Sequence, residues 1–175
     1  MKAADICRIF HACLGNAFRT RLEGGADEPF YQPAEGGGDW HRMIFREDFA
    51  ASALHEISHW CIAGSARRLQ PDLGYWYRSN RDVSAQRAFE SLEARPQALE
   101  WIFSVAADVP FRVSCDNFDP QVLELNGFRH MVRDAAIEWL DCELPARAKT
   151  FTDALSRETG VIGALDPETY RELPR

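Results

Sequence analysis

No stretch of the 175-residue chain comes near the roughly 18 consecutive apolar residues of a membrane-spanning helix, so no membrane segment is expected. Runs of basic residues are missing too. With 20 Lys and Arg against 27 Asp and Glu the formal net charge is −7, and no segment interleaves basic and aromatic residues, which argues against direct nucleic-acid binding. The five cysteines, Cys7, Cys13, Cys61, Cys115 and Cys142, are odd in number, and no two stand at a metal-knuckle spacing. That leaves reduced thiols packed as small apolar side chains rather than a disulfide framework. The opening Met1-Lys2-Ala3-Ala4-Asp5 has an acid where a signal peptide needs apolar residues, so a cytoplasmic location is expected. Repeats and low-complexity linkers are absent. The expectation is one domain over residues 1–175, large enough to bury a substantial core.

What is present is His55-Glu56-Ile57-Ser58-His59. Residues four apart lie on one face of a helix, so the two imidazoles project side by side at the spacing that holds one metal ion. Glu56 stands one step round, where a carboxylate can reach a metal-bound water as a general base or tune the site from its edge. The flanks Phe49 to Leu54 and Trp60 to Ala63 lack Gly and Pro and are rich in helix formers, with Gly64 and Pro71 beyond them. Asp48 is the expected N-cap. Ala51, Leu54, His55, Ser58, His59 and Ile62 form the expected apolar face.

The rest reads as α+β, mostly helical with a few short strands. Ile6, Ile9, Phe10, Cys13 and Leu14 make an opening amphipathic helix, which Gly15-Asn16 would end or loosen. Gly24 to Asp39 is turn-rich, with a short extended piece at Phe30-Tyr31 and a glycine run, Gly36-Gly37-Gly38, that reads as a mobile loop. His41 to Arg46 is an expected strand leading into the metal helix, and Tyr75-Trp76-Tyr77 an expected aromatic strand. A long helix is expected from Asp82 to Ala107, with an apolar stripe of Phe89, Leu92, Pro96, Leu99, Ile102 and Phe103 and a kink or junction at Pro96. Asp119-Pro120 opens a further helical region with a break near Gly127. A last helix follows Pro145 and ends near Gly160, before a polar tail.

Two histidines do not complete a metal site. The extended zincin pattern would place Gly at position 62 and His at 65, where the chain has Ile62 and Ser65. A glutamate from the next helix is the alternative. Glu93, 34 residues beyond His59, lies at the edge of the apolar stripe, where burial of an unpaired carboxylate would cost several kcal/mol that a metal offsets. Glu90 is the alternate ligand or an outer partner, and Gln97 is placed to hydrogen-bond the carboxylate. Two histidines and one carboxylate activate dioxygen with iron(II) and water with zinc(II); no train of strands suggests the jelly roll of most oxoglutarate-dependent hydroxylases.

The run from Ser52 to Gly64 followed by Ala66-Arg67-Arg68 resembles the bacterial elongation factor P hydroxylase family. So do Asp27-Glu28-Pro29, Gly74-Tyr75-Trp76-Tyr77, Phe89-Glu90 through Glu93, Pro96-Gln97-Ala98-Leu99 and Val113-Ser114-Cys115-Asp116-Asn117. The resemblance covers roughly residues 27 to 118 and implies a cytoplasmic, non-haem iron enzyme with dioxygen as co-substrate. Its substrate would be elongation factor P carrying a β-lysyl group on one lysine. It implies that His55 and His59 bind the iron together with Glu93 or Glu90. Tyr75, Trp76 and Tyr77 are read first as core aromatics and second as the lining of a channel for a long cationic side chain. Arg67-Arg68 is read first as a solvated helix end and second as a partner contact. Two rival functions stand beside the hydroxylase: a zinc metallopeptidase using Glu56 to activate water, and a non-catalytic adaptor with a structural metal.

Overall fold

The computed structural model describes residues 1–36, 39–75, 81–115 and 125–174. Its elements run α1 (Ala3–Phe10), a π-helical turn (His11–Gly15), α2 (Asn16–Phe18), β1 (Thr20–Ala26), β2 (Phe30–Gln32), β3 (His41–Arg46), α3 (Ala50–Ile62), α4 (Val83–Ala106), α5 (Leu125–Asp141) and α6 (Ala146–Thr159), with short 3-10 turns between and after them. The α+β, mostly helical expectation holds. Among the described residues no helix is long and apolar enough to cross a membrane.

The opening helix buries Ile6, Ile9, Phe10 and Leu14, as its periodicity predicts. It does not end at Gly15-Asn16. It continues through the π turn to Phe18 and stops at Arg19, whose φ is 48°. The turn swings His11 toward β1, where its Nε2 accepts from the Leu22 N–H at 2.9 Å, and burial pushes this imidazole below its usual pKa. Gly15 is required by proximity, because a Cβ there would stand 2.8 Å from the Thr20 carbonyl.

β3 lies between its two neighbours, parallel to β1 and antiparallel to β2. The register sets Leu22 opposite Met43 and Tyr31 opposite Met43, so one face buries Leu22, Tyr31, Met43 and Phe45. The expected turn at Gly24-Gly25 is instead part of β1. A bulge between Glu23 and Ala26 needs Gly25 at φ 105°, and Gly24 lets the strand approach the Glu47 carbonyl. Gly37 and Gly38 lie outside the described residues.

β3 feeds α3, which is buried on most sides: Ala53, Leu54, Ile57, Ser58, Trp60 and Cys61 are all inside, whereas Ala51 is exposed. The N-cap is Phe49, without a side-chain bond, and not Asp48; Ser52 Oγ instead accepts from the Arg46 N–H at 3.0 Å, joining strand to helix. The other end is held from far along the chain. Arg147 on α6 directs one guanidinium nitrogen at the carbonyls of Trp60, Cys61 and Ala63, at 3.1, 3.0 and 2.6 Å, and lies 4.8 Å from the Trp60 ring centre. Those carbonyls belong to the helix end whose acceptors lack partners along the helix. Arg147→Met keeps the stem and removes the donors. The expected loss is about 2 kcal/mol, or roughly 4–8 °C in Tm, read by far-ultraviolet circular dichroism; an unchanged melting curve would mean these bonds do not hold α3.

α4 begins with Asp82, whose side chain accepts from the Ala85 N–H at 2.8 Å, and runs unbroken through Pro96. The expected junction is absent: Pro96 is buried, and packing holds the helix across the missing hydrogen bond. Leu92, expected inside, is 55% exposed. Phe89, Pro96, Leu99, Ile102 and Phe103 are buried as expected, and beside them runs a polar stripe, Gln86, Glu90, Glu93, Gln97, Glu100 and Ser104, every member of which is also buried.

α5 covers α4 with Phe128, Val132, Ala136 and Trp139, and Gly127 sits inside it without a break. Asp119 and Pro120 lie outside the described residues. α6 starts after Pro145 and ends at Gly160 with φ 76°, as expected. The tail is not merely polar. Tyr170 is fully buried, donates to the Ala164 carbonyl at 2.7 Å and packs edge-on to Trp101.

Candidate metal centre

α3 and α4 pack side by side, and their facing residues converge at one point. His55 Nε2 and His59 Nε2 stand 3.1 Å apart. Glu93 closes the triangle, with Oε1 at 3.4 Å from His59 Nε2 and Oε2 at 3.8 Å from His55 Nε2. The three residues each offer an atom within 4.8 Å of the others, the one such group of this kind among the described residues. Two ligands each about 2.1 Å from a shared ion stand roughly 3.0 Å apart at right angles and roughly 3.4 Å apart at a tetrahedral angle. The observed spacings suit a single ion. Glu93 is buried, its side chain 3% exposed, where an ion would offset the cost of its charge.

His55 is oriented through its other nitrogen, for Nδ1 lies 2.8 Å from Glu100 Oε2. Burial pushes this imidazole down, but the Glu100 bond and the charges of Glu100, Glu93 and Glu56 outweigh burial and hold its pKa at about 10. Glu100 was not among the sequence candidates. Its signal was available: it follows Glu93 by seven residues, two helical turns along the same face.

Glu56 is half-buried on α3 and has no hydrogen-bond partner among the described residues. Burial raises its pKa, the two histidines lower it, and Glu93 and Glu100 raise it again, with a net upward shift. Its carboxyl stands beside the triangle rather than at a corner of it, and its burial favours the neutral form.

Glu90 is not at the cluster. It accepts from Gln86 Nε2 at 3.1 Å, in a buried network where Arg81 reaches Gln86 Oε1 at 3.0 Å and the Cys115 carbonyl at 3.1 Å. Gln97 does not reach Glu93 either. Its amide is consumed by the backbone of Ser114, donating to the carbonyl at 2.6 Å and accepting from the N–H at 3.0 Å. One helical turn separates a carboxylate at the cluster from side chains that pin the neighbouring segment.

Tyr75 comes to the rim, in extended backbone but in no strand, its ring edge-on to His59 at 5.2 Å. Trp76 and Tyr77 lie outside the described residues. The five cysteines are free; burial raises the thiols of Cys7 and Cys115 to about 11 and pushes Cys61 higher, as inert packed thiols require.

Comparison with known proteins converges on one group. The family model for elongation factor P hydroxylase matches residues 9–166. The elongation factor P lysine hydroxylase of Haemophilus influenzae is 40% identical over 155 residues, covering 88% of this chain and 87% of that protein. A match over this span takes in α3, α4, α5 and α6 together, and the chain belongs to the elongation factor P hydroxylase family.

Proposed function

We propose that this chain is an iron-dependent oxidoreductase that hydroxylates one lysine of elongation factor P after that lysine has received a β-lysyl group. The observation that carries this reading is the His55–His59–Glu93 triangle, set in a chain of this family. Residues 1–175 would act as one metal-binding hydroxylase domain in the cytoplasm, with no membrane and no direct nucleic-acid contact. His55, His59 and Glu93 would hold the ion. Iron(II), when bound, supplies the activation of dioxygen, with zinc(II) as a redox-inert substitute. Glu100 would hold the His55 ring through Nδ1 and leave Nε2 to serve as the ligand atom. Glu56 would manage protons beside the site, its burial shifting the carboxyl toward the neutral form. The family and the relative both bear the hydroxylase name, and neither points to the metallopeptidase that the histidine motif alone also allows.

The test is mass spectrometry of β-lysylated elongation factor P after incubation with this protein, iron(II), reductant and air. One added oxygen atom on the modified lysine is expected, absent without oxygen and absent with His55→Ala. No added oxygen from iron-loaded protein, with cleavage of a peptide library by its zinc form, would replace the hydroxylase with the peptidase.

Proton competition gives a second expected result. His55 carries its proton up to about pH 10 in the metal-free protein, and coordination expels it. Metal affinity should therefore rise about tenfold per pH unit between pH 7 and 9, measured by competition with a chelating indicator. The sign for metal-free stability is opposite. A folded pKa above the ordinary 6.5 stabilises fully below pH 6.5, and that contribution is lost as pH rises through about 10. A flat affinity profile would show that His55 is not the protonated ligand.

A further inference from the structure

We propose that the Tyr75 ring is the seat for the cationic end of the substrate side chain, and that Arg67 occupies this seat in the free enzyme as a displaceable stand-in. The inference rests on the function proposed above and adds how its substrate is recognised, as an alkylammonium group.

Four observations carry it. The Arg67 guanidinium carbon lies 4.2 Å from the Tyr75 ring centre, well within cation–π range. The same ring stands edge-on to His59 at 5.2 Å, so a cation on it is one ring away from the metal triangle. The Glu93 carboxylate lies 3.4 Å from Nε2 of that same His59, which places a negative charge near the ring, a setting that draws positive charge. Arg67 itself is exposed and forms no ion pair with a carboxylate among the described residues, so little holds it in place.

Its neighbour shows the contrast. Arg68 donates to the Ala63 carbonyl at 2.9 Å, and its own carbonyl accepts from the Tyr31 hydroxyl at 2.9 Å. Arg68 is built into the fold; Arg67 rests on a ring. The ring, in turn, is presented by a turn that only its surroundings can sustain. Asp72, Leu73 and Gly74 have φ of 49°, 55° and 71° in succession, which is costly for the two residues with side chains. Leu73 is buried, Asp72 Oδ1 accepts from the Tyr31 N–H at 2.9 Å, and the Asp72 carbonyl accepts from the Tyr75 N–H at 2.9 Å. The sheet thereby fixes the backbone that carries Tyr75, while its present occupant is free to leave. A fixed aromatic face with a loosely held cation on it, beside a reactive centre, is a cation site with its own competitor attached.

The test is calorimetric titration of the zinc-loaded protein with a short peptide whose lysine bears a β-lysyl group on its ε-amine, and with the same peptide after acetylation of its amines. Arg67→Ala should bind the cationic peptide about threefold tighter, because the competitor is gone. Tyr75→Leu should bind it about threefold to fivefold more weakly, and Tyr75→Phe, which keeps the ring, should stay near wild type. The acetylated peptide should respond to none of the three. Unchanged or weaker binding by Arg67→Ala would overturn the proposal and make Arg67 a partner contact. So would a preference for the cationic peptide that survives Tyr75→Leu, or no binding by the wild type. Hydroxylation of intact elongation factor P by the wild type is read separately: loss of the peptide result with hydroxylation present removes only the cation seat, whereas absence of hydroxylation removes the function.

Discussion

Glu93→Ala should empty the metal site, whereas Glu90→Gln should leave it filled. The two carboxylates stand three residues apart on α4 and are both buried, so composition and exposure do not separate them. Geometry does. Glu93 lies 3.4 and 3.8 Å from the two histidine nitrogens, while Glu90 is engaged by Gln86 in the network with Arg81 and the Cys115 carbonyl. Loss of a partner outside the ligand set costs about 10- to 100-fold in metal affinity, and loss of a ligand should exceed that. Metal retained per chain after dialysis should fall below detection for Glu93→Ala, and hydroxylation with it, while circular dichroism stays native. Glu90→Gln should keep its metal and lose about 1 kcal/mol of stability through its buried bond. If Glu90→Gln emptied the site and Glu93→Ala did not, the ligand assignment would be reversed.

The legibility of this site in the sequence follows from how far apart its parts lie. His55 and His59 are one turn apart on one helix, so their convergence is local and readable. The carboxylate that joins them in the cluster, Glu93, could be narrowed to one of two, because a third ligand was expected from the next helix. The choice between them depended on Arg81 and the backbone of Cys115, which are remote in sequence from the metal helix. The apolar periodicity of α4 held for Phe89, Pro96, Leu99, Ile102 and Phe103 and misled on Leu92 alone, since a second inward stripe at 86, 90, 93, 97, 100 and 104 is polar. Its spacing of three and four is as regular as that of a hydrophobic face, and it would have pointed to Glu100. β1 was hidden because Gly24-Gly25 makes a bulge as readily as a turn. Arg147 is an ordinary charge on an amphipathic helix until the carbonyls it holds, more than 80 residues earlier, are seen.

Glu100 separates two services that an outer carboxylate renders to a histidine ligand, and three measurements on two variants should tell them apart. Its Oε2 at 2.8 Å from His55 Nδ1 fixes the ring's direction, and its hydrogen bond and charge together raise the basicity of the same ring. Glu100→Ala removes both. Hydroxylation should fall about 10- to 100-fold, and the rise of metal affinity between pH 7 and 9 should flatten as the His55 pKa moves back toward 6.5. Glu100→Gln keeps an oxygen that accepts from Nδ1–H but carries no charge. Its pH profile should lie between those of the wild type and the alanine variant, because the hydrogen bond and the charge both raise the His55 pKa and only the charge is lost. Its activity should recover in part, because direction follows the hydrogen bond. Equal activities in the two variants would mean that charge alone matters, and a wild-type slope in either would mean that His55 owes its proton to Glu93 and Glu56 instead. Zinc-loaded samples of both variants give the structural control: if their melting temperatures match the wild type, the losses belong to the ring of His55 and not to the packing of α3 on α4.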